Sequence, residues 1–185
     1  LLSFISRMVF IRCLSAAYLG VSGLFTDVLS ILNFAELGIG TAMVFSMYEP
    51  AARDDEQKLA RLMNLYKWMY RAVAAVVLLF GLVLLPFLPY LIKGGEGIEH
   101  ITLIYMMYVL ASASSYLLNY KSSIYQAYQK GYIRAGWTVV CDCLKTILQI
   151  VVLLLTGNFI LYLVVQQVMQ FLPNIIVSRM VDKEF

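Results

Sequence analysis

The segment from Gly20 to Pro50, GVSGLFTDVLSILNFAELGIGTAMVFSMYEP, is long enough to cross a bilayer as a helix and yet carries Asp27, Asn33 and Glu36. A hydrocarbon core of roughly 30 Å takes about 20 helical residues at 1.5 Å rise, and Leu24 to Tyr48 supplies them. An ionised acid near the middle of an inserting helix costs on the order of 2.5–3.5 kcal/mol, so Glu36 should face a protein interior or a wet cavity rather than lipid. At about 100° per residue, Asn33, Glu36 and Gly40 share one face, whereas Asp27 points nearly opposite and lies closer to the helix start. Glu36 is the informative acid, and Asp27 reaches water more easily.

Hydrophobic residues make up 62% of the 185-residue chain and charged residues 14%, against roughly 25% charged in soluble proteins. With a mean hydropathy of +0.81, the expected fold is all-α, a polytopic transmembrane bundle. The sequence opens Leu1-Leu2 inside an apolar run, without a starting Met or a short leader with a small-residue cleavage site. It reads as a fragment that enters midway through its first span. Cys13, Cys141 and Cys143 all fall in apolar segments without Cys-x-x-Cys spacing, which suggests buried thiols rather than a disulfide framework or a zinc site. A formal charge of +3 is too small to argue for nucleic acid.

About six spans follow from hydropathy and length. The first runs from Leu1 to about Leu19 and contains Arg7 and Arg12; the second is the segment above. After the polar stretch from Glu49 to Arg61, a third span ends near Ile92, with Pro86 and Pro89 in its last turns. Lys93-Gly94-Gly95-Glu96-Gly97 is a turn, since no Gly-Lys-Ser/Thr ending or preceding strand makes it a phosphate loop. The fourth span runs from about Ile98 to Tyr120 and continues to Tyr128 as an interfacial helix. The fifth covers about Ala135 to Leu155, and Thr156-Gly157-Asn158 turns tightly into the sixth, Phe159 to Val177.

Lys and Arg collect in three alternate loops: Arg53, Lys58, Arg61, Lys67 and Arg71; Lys121, Lys130 and Arg134; Arg179 and Lys183. The other side receives only Lys93. Positively charged loops resist translocation, so the amino end and the even-numbered exits are expected in the cytoplasm. Trp68, Trp137 and Tyr66, Tyr70, Tyr90, Tyr120, Tyr125, Tyr128 and Tyr132 fall at span ends, as an aromatic belt would.

Three spans carry polar stripes. On the fifth, Thr138, Asp142, Lys145, Gln149 and Thr156 fall on one helical face. The fourth has Ser112, Ser115, Asn119, Ser122 and Gln126; the sixth has Gln166, Gln170 and Asn174, with Gln167 beside them. Unpaired polar groups in hydrocarbon cost several kcal/mol, so each stripe either lines a hydrated path or glues helices together, at about 0.6 kcal/mol per pair. Asp142 and Lys145 at i, i+3 can also neutralise each other. The third span has no stripe and is the choice for a lipid-facing position. Arg7 and Arg12 lie about 140° apart around their helix, and each either snorkels to an interface or faces a cavity, where a planar guanidinium suits phosphate.

Enzyme chemistry finds no footing. His100, the sole histidine, falls in an outer loop; no metal-ligand spacing, Gly-x-Ser-x-Gly elbow or working acid pair is present. Transport without bond chemistry, cofactor or metal fits better.

The run from Ala16 to Arg71 resembles the amino-terminal part of bacterial polysaccharide flippases, the O-antigen and capsule translocases of the multidrug/oligosaccharidyl-lipid/polysaccharide exporter superfamily. Its most specific pieces are Tyr18-Leu19-Gly20, Gly23-Leu24-Phe25, Ala35-Glu36-Leu37-Gly38-Ile39-Gly40-Thr41-Ala42 and Ser46-Met47-Tyr48 to Pro50, with Tyr120-Lys121-Ser122-Ser123, Gln126 and Gln129-Lys130 continuing it. The resemblance implies a transporter of about 12 to 14 spans in two pseudo-symmetric lobes, of which residues 1–185 form most of the first lobe. It further implies flipping of an undecaprenyl-pyrophosphate-linked oligosaccharide across the bacterial inner membrane. Polysaccharide polymerase and glycosyltransferases would be partners beside the missing second lobe and membrane lipids. Mapped by position, Arg7 and Arg12 would partner the diphosphate and Glu36 would be a cavity or gating residue. Asp142, Lys145 and Gln149 are lining candidates from the stripe argument alone. Two rivals stand beside this: a cation-coupled multidrug exporter using Glu36 or Asp142 as its ion site, and a non-transporting membrane scaffold whose stripes are only helix glue.

Overall fold

Capping and turn residues set some of the helix ends. The computed structural model describes residues 2–14, 16–92 and 100–184. Helix α1 covers Leu2–Cys13, α2 Ala16–Ala52 and α3 Glu56–Leu84. Asp55 caps α3 by accepting the Lys58 backbone N–H at 3.0 Å, with Glu56 in the first turn to complement the helix dipole. A 3-10 turn, Leu85–Phe87, and the short α4, Leu88–Leu91, then carry Pro86 and Pro89. Helices α5 (Ile101–Asn119), α6 (Ser122–Ala127), α7 (Gly131–Thr156) and α8 (Phe159–Glu184) complete the order. Gly157, at φ 60°, closes α7 in the left-handed region that glycine enters without strain. The Asn158 side chain then accepts the Ile160 N–H at 2.9 Å to start α8. All regular structure among the described residues is helical.

Several expected boundaries move. The first apolar run does not continue to Leu19: α1 ends at Cys13, and Ala16 to Leu19 open α2, which is 37 residues long. No proline or glycine marks that break, so hydropathy alone runs through it. The third span does end where expected, running from Glu56 to Tyr90, and two prolines lacking N–H donors tighten its last turns into a 3-10 turn and the short α4. Beyond Tyr120 the chain does not simply continue; α6 is a separate short helix. The glycine-rich connection from Lys93 lies outside the described residues, as do the side chains of Asn33 and Glu36.

Helix α7 packs along α8, α3 along α5, and α1 against α7, while α2 bridges α3, α5 and α6. One apolar cluster joins Phe10, Phe25, Tyr105, Val109, Leu153 and Leu163. A second gathers Met47, Tyr66, Tyr70, Val77, Ala113 and Tyr116 at the basic end. Gly81 permits a close approach of α3 to α5: a Cβ there would lie 2.5 Å from Val109 Cγ1, and Tyr105 Oη donates to the Gly81 carbonyl at 2.9 Å.

The outer surface is apolar, with Leu79 64%, Val83 62% and Leu155 80% exposed, a finish suited to acyl chains rather than water. Among the described residues Glu56–Tyr90, Gly131–Thr156 and Phe159–Lys183 are long and apolar enough to cross a membrane, and Ile101–Leu117 is a shorter apolar helix. This is the build of a membrane protein. Exposed apolar rows run along α3, as expected of a span without a polar stripe, and along α7 and α8 as well.

Candidate functional site

Two cavities open along the row that runs from Ser112 through Ser115, Asn119 and Ser122 to Gln126. The first, about 260 Å³, lies between α2, α5 and α8 and is bounded by Thr26, Ser112, Ser115, Gln166, Gln167 and Gln170. Serine and threonine hydroxyls here fold back on their own helices, Ser115 Oγ donating to the Ser112 carbonyl at 2.7 Å and Thr26 Oγ1 to that of Ser22 at 2.8 Å. Gln167 Nε2 donates to the Met107 carbonyl at 2.8 Å and pins α8 to α5.

Beside this cavity Gln149, 4% exposed, donates through Nε2 to Gln166 Oε1 at 3.4 Å. The bond is long, but its loss strands a buried amide. Gln166→Leu is expected to destabilise the protein by about 1–2 kcal/mol, and Gln149→Leu added to it should recover most of that. A double-mutant cycle on unfolding in detergent checks this; additive losses would deny the coupling.

The second cavity, about 440 Å³, opens at the basic end between α2, α3, α6 and α7. On α3, Tyr66 Oη donates to Tyr70 Oη at 2.8 Å, both residues being buried. Gly40 of α2 faces this pair, a Cβ there falling 3.4 Å from each hydroxyl. On the opposite wall Arg134 Nη1 donates to Ser122 Oγ at 3.0 Å, and Ser122 Oγ donates to the Asn119 carbonyl at 2.7 Å. A sharp turn makes this meeting possible. Gln129 takes φ 58° and the Lys130 N–H donates to the Tyr125 carbonyl at 2.6 Å, folding α7 back against α6. None of the described lining residues is acidic.

Of the residues singled out from the sequence, Asp142 and Lys145 meet each other at 2.6 Å and line neither of these cavities. Gln149 meets Gln166. Arg7 and Arg12 are exposed on α1, without an ion pair among the described residues. Because α1 stops early, Arg12 stands in its last turn. That turn leads to Leu14, which shares a pocket with His100 and Gly157 at the end opposite the basic loops. Glu36 lies outside the described side chains.

Tyr66, Tyr70 and Tyr125 are buried rather than part of an interfacial belt, which leaves Trp68, Tyr90, Tyr132 and Trp137 as the exposed members of that set. The i, i+4 spacing of Tyr66 and Tyr70 was the available signal, since it places both on one helical face. Of the cysteines, Cys141 is buried but Cys143 is exposed, so not all are buried thiols. Among the described residues no cluster of His, Cys, Asp and Glu could hold a metal. Set beside known proteins, the chain matches no family model, no curated protein and no solved structure.

Proposed function

We propose that this chain is one lobe of a two-lobe carrier that passes an undecaprenyl-diphosphate-linked oligosaccharide across the bacterial inner membrane by alternating access. The loops rich in Lys and Arg face the cytoplasm, as does the amino end, and no bond chemistry is involved. The observation that carries the reading is the hydroxyl and amide row from Ser112 to Gln126, which borders both cavities. Moving a hydroxyl-rich headgroup through hydrocarbon is the physical obstacle. Serine, asparagine and glutamine side chains replace water around sugar hydroxyls, and rocking of the lobe against its partner exposes them to the other side.

The scaffold reading draws on the Gln149–Gln166 and Gln167–Met107 bonds, which join helices without needing a ligand. Water access separates the two. Single cysteines at Ser115 and Gln170, in a chain freed of Cys13, Cys141 and Cys143, are expected to react with a membrane-impermeant maleimide in intact spheroplasts, and deletion of the gene should remove surface polysaccharide. Inert cysteines at both positions, with polysaccharide intact after deletion, would leave helix glue as the explanation.

A further inference from the structure

We propose that Pro173 is the hinge of a gate at the basic end of the bundle, about which the last turns of α8 swing away from α6. The gate is a property of the bundle and stands whether or not the carrier reading does.

Inside α8, Pro173 offers no N–H to the Met169 carbonyl and its ring crowds that turn, so the helix bends more easily there than elsewhere. The two arms on either side belong to different packed groups. Before the proline, Phe159 and Leu163 pack with Phe10 and Leu153, and the Gln149–Gln166 and Gln167–Met107 bonds tie the arm to α7 and α5. After it, Val177 and Val181, 1% and 4% exposed, pack on Ile124 and Tyr125 of α6. Between Leu163 and Val177 no residue other than Pro173 is buried. The weakest turn of the helix therefore falls where its packing on the rest of the protein is thinnest.

One ion pair latches the far arm. Lys121 Nζ donates to both carboxylate oxygens of Asp182 at 2.6 Å, joining the start of α6 to the end of α8. With Asp182 57% and Lys121 25% exposed, such a pair holds the arm without locking it. Val181 and Asp182 also form one wall of a third cavity, about 560 Å³, faced by Glu56, Leu59 and Met63 of α3 and by Ile124 of α6. A swing of the arm opens this cleft. The cavity beside Gln166 and Gln170 keeps its wall, because those residues precede the hinge. One chamber is thus gated while the other is held, the arrangement of a hinged element that closes over a site.

The test places spin labels on Lys58→Cys and Arg179→Cys in the full chain, freed of Cys13, Cys141 and Cys143 and held in nanodiscs, and reads the distance between them by double electron–electron resonance. Both native side chains are exposed, and neither is in an ion pair among the described residues. Two distance populations are expected. Lys121→Met should raise the ratio of the longer to the shorter about 2- to 5-fold, the value of a half-exposed ion pair. Pro173→Ala restores the missing N–H and should leave one narrow population. A control pair, Lys58→Cys with Val164→Cys, replaces the arm label with one ahead of the hinge and should give a single distance throughout.

A single population in the parent that Lys121→Met does not shift overturns the gate, which keeps the test decisive should Pro173→Ala fold poorly. Two populations that persist in Pro173→Ala, or that appear in the control pair, place the motion elsewhere and overturn the hinge.

Discussion

Gly81→Leu is expected to unseat α3 from α5 and to leave little folded protein. Even the smaller Gly81→Ala puts a Cβ 2.5 Å from Val109 Cγ1 and 2.9 Å from Cγ2, well inside contact distance. Val109 is fully buried, and its β-branched side chain has few rotamers into which to retreat. The helices cannot simply part, because Tyr105 Oη holds the Gly81 carbonyl at 2.9 Å between them. Alanine gains up to about 1 kcal/mol of helix propensity over glycine, but overpacking costs about 1–3 kcal/mol, and leucine adds three more carbons to the same space. Thermal unfolding in detergent should show a lowered midpoint for Gly81→Ala and loss of the folded fraction for Gly81→Leu. Val109→Ala should rescue the alanine variant. An unchanged midpoint in Gly81→Ala would show that this contact yields freely.

Under the proposed carrier function, Ser112→Leu combined with Gln170→Leu is expected to abolish surface polysaccharide while leaving the protein as abundant as before. Both side chains border the 260 Å³ cavity, and neither engages in the Gln149–Gln166 or Gln167–Met107 bonds that tie the helices. Two leucines replace a hydroxyl and an amide in that lining with apolar atoms, so water and sugar hydroxyls lose hydrogen-bond partners there while the fold loses no partnered buried group. The expected pattern is therefore loss of transport with an unfolding midpoint equal to or above that of the parent. Normal polysaccharide in this variant would take the cavity out of the transport path.

The helical architecture was legible because polarity and turn chemistry agree at most helix ends. Gly157-Asn158 forms the turn between α7 and α8 that its composition announces, and Asp55 stops one polar loop by capping the next helix. The break after Cys13 was not legible, since residues on both sides are apolar and nothing local forbids a continuous helix. The stripe from Ser112 to Gln126 could be read from its spacing, and it borders both cavities. Arg134 could not, because a cation just after a loop counts equally well as a loop charge; only the reversal at Gln129 turns it onto Ser122. Asp142 and Lys145 share the helical face foreseen for them, yet the face is settled by their own ion pair. Periodicity tells which residues look the same way, and tertiary packing decides what they look at.

Helix α2, at 37 residues, is about 55 Å long at 1.5 Å per residue, and its apolar stretch from Leu24 to Tyr48 exceeds a hydrocarbon thickness of roughly 30 Å. A helix longer than the hydrocarbon is thick fits a bilayer by leaning, and the lean shrinks as the lipid tails lengthen. Thr26 near its start and Thr41 towards its end belong to different cavities, so one rigid rotation of α2 moves both walls together. Any tilt imposed on α2 is thus felt in both chambers at once, whether or not either is occupied.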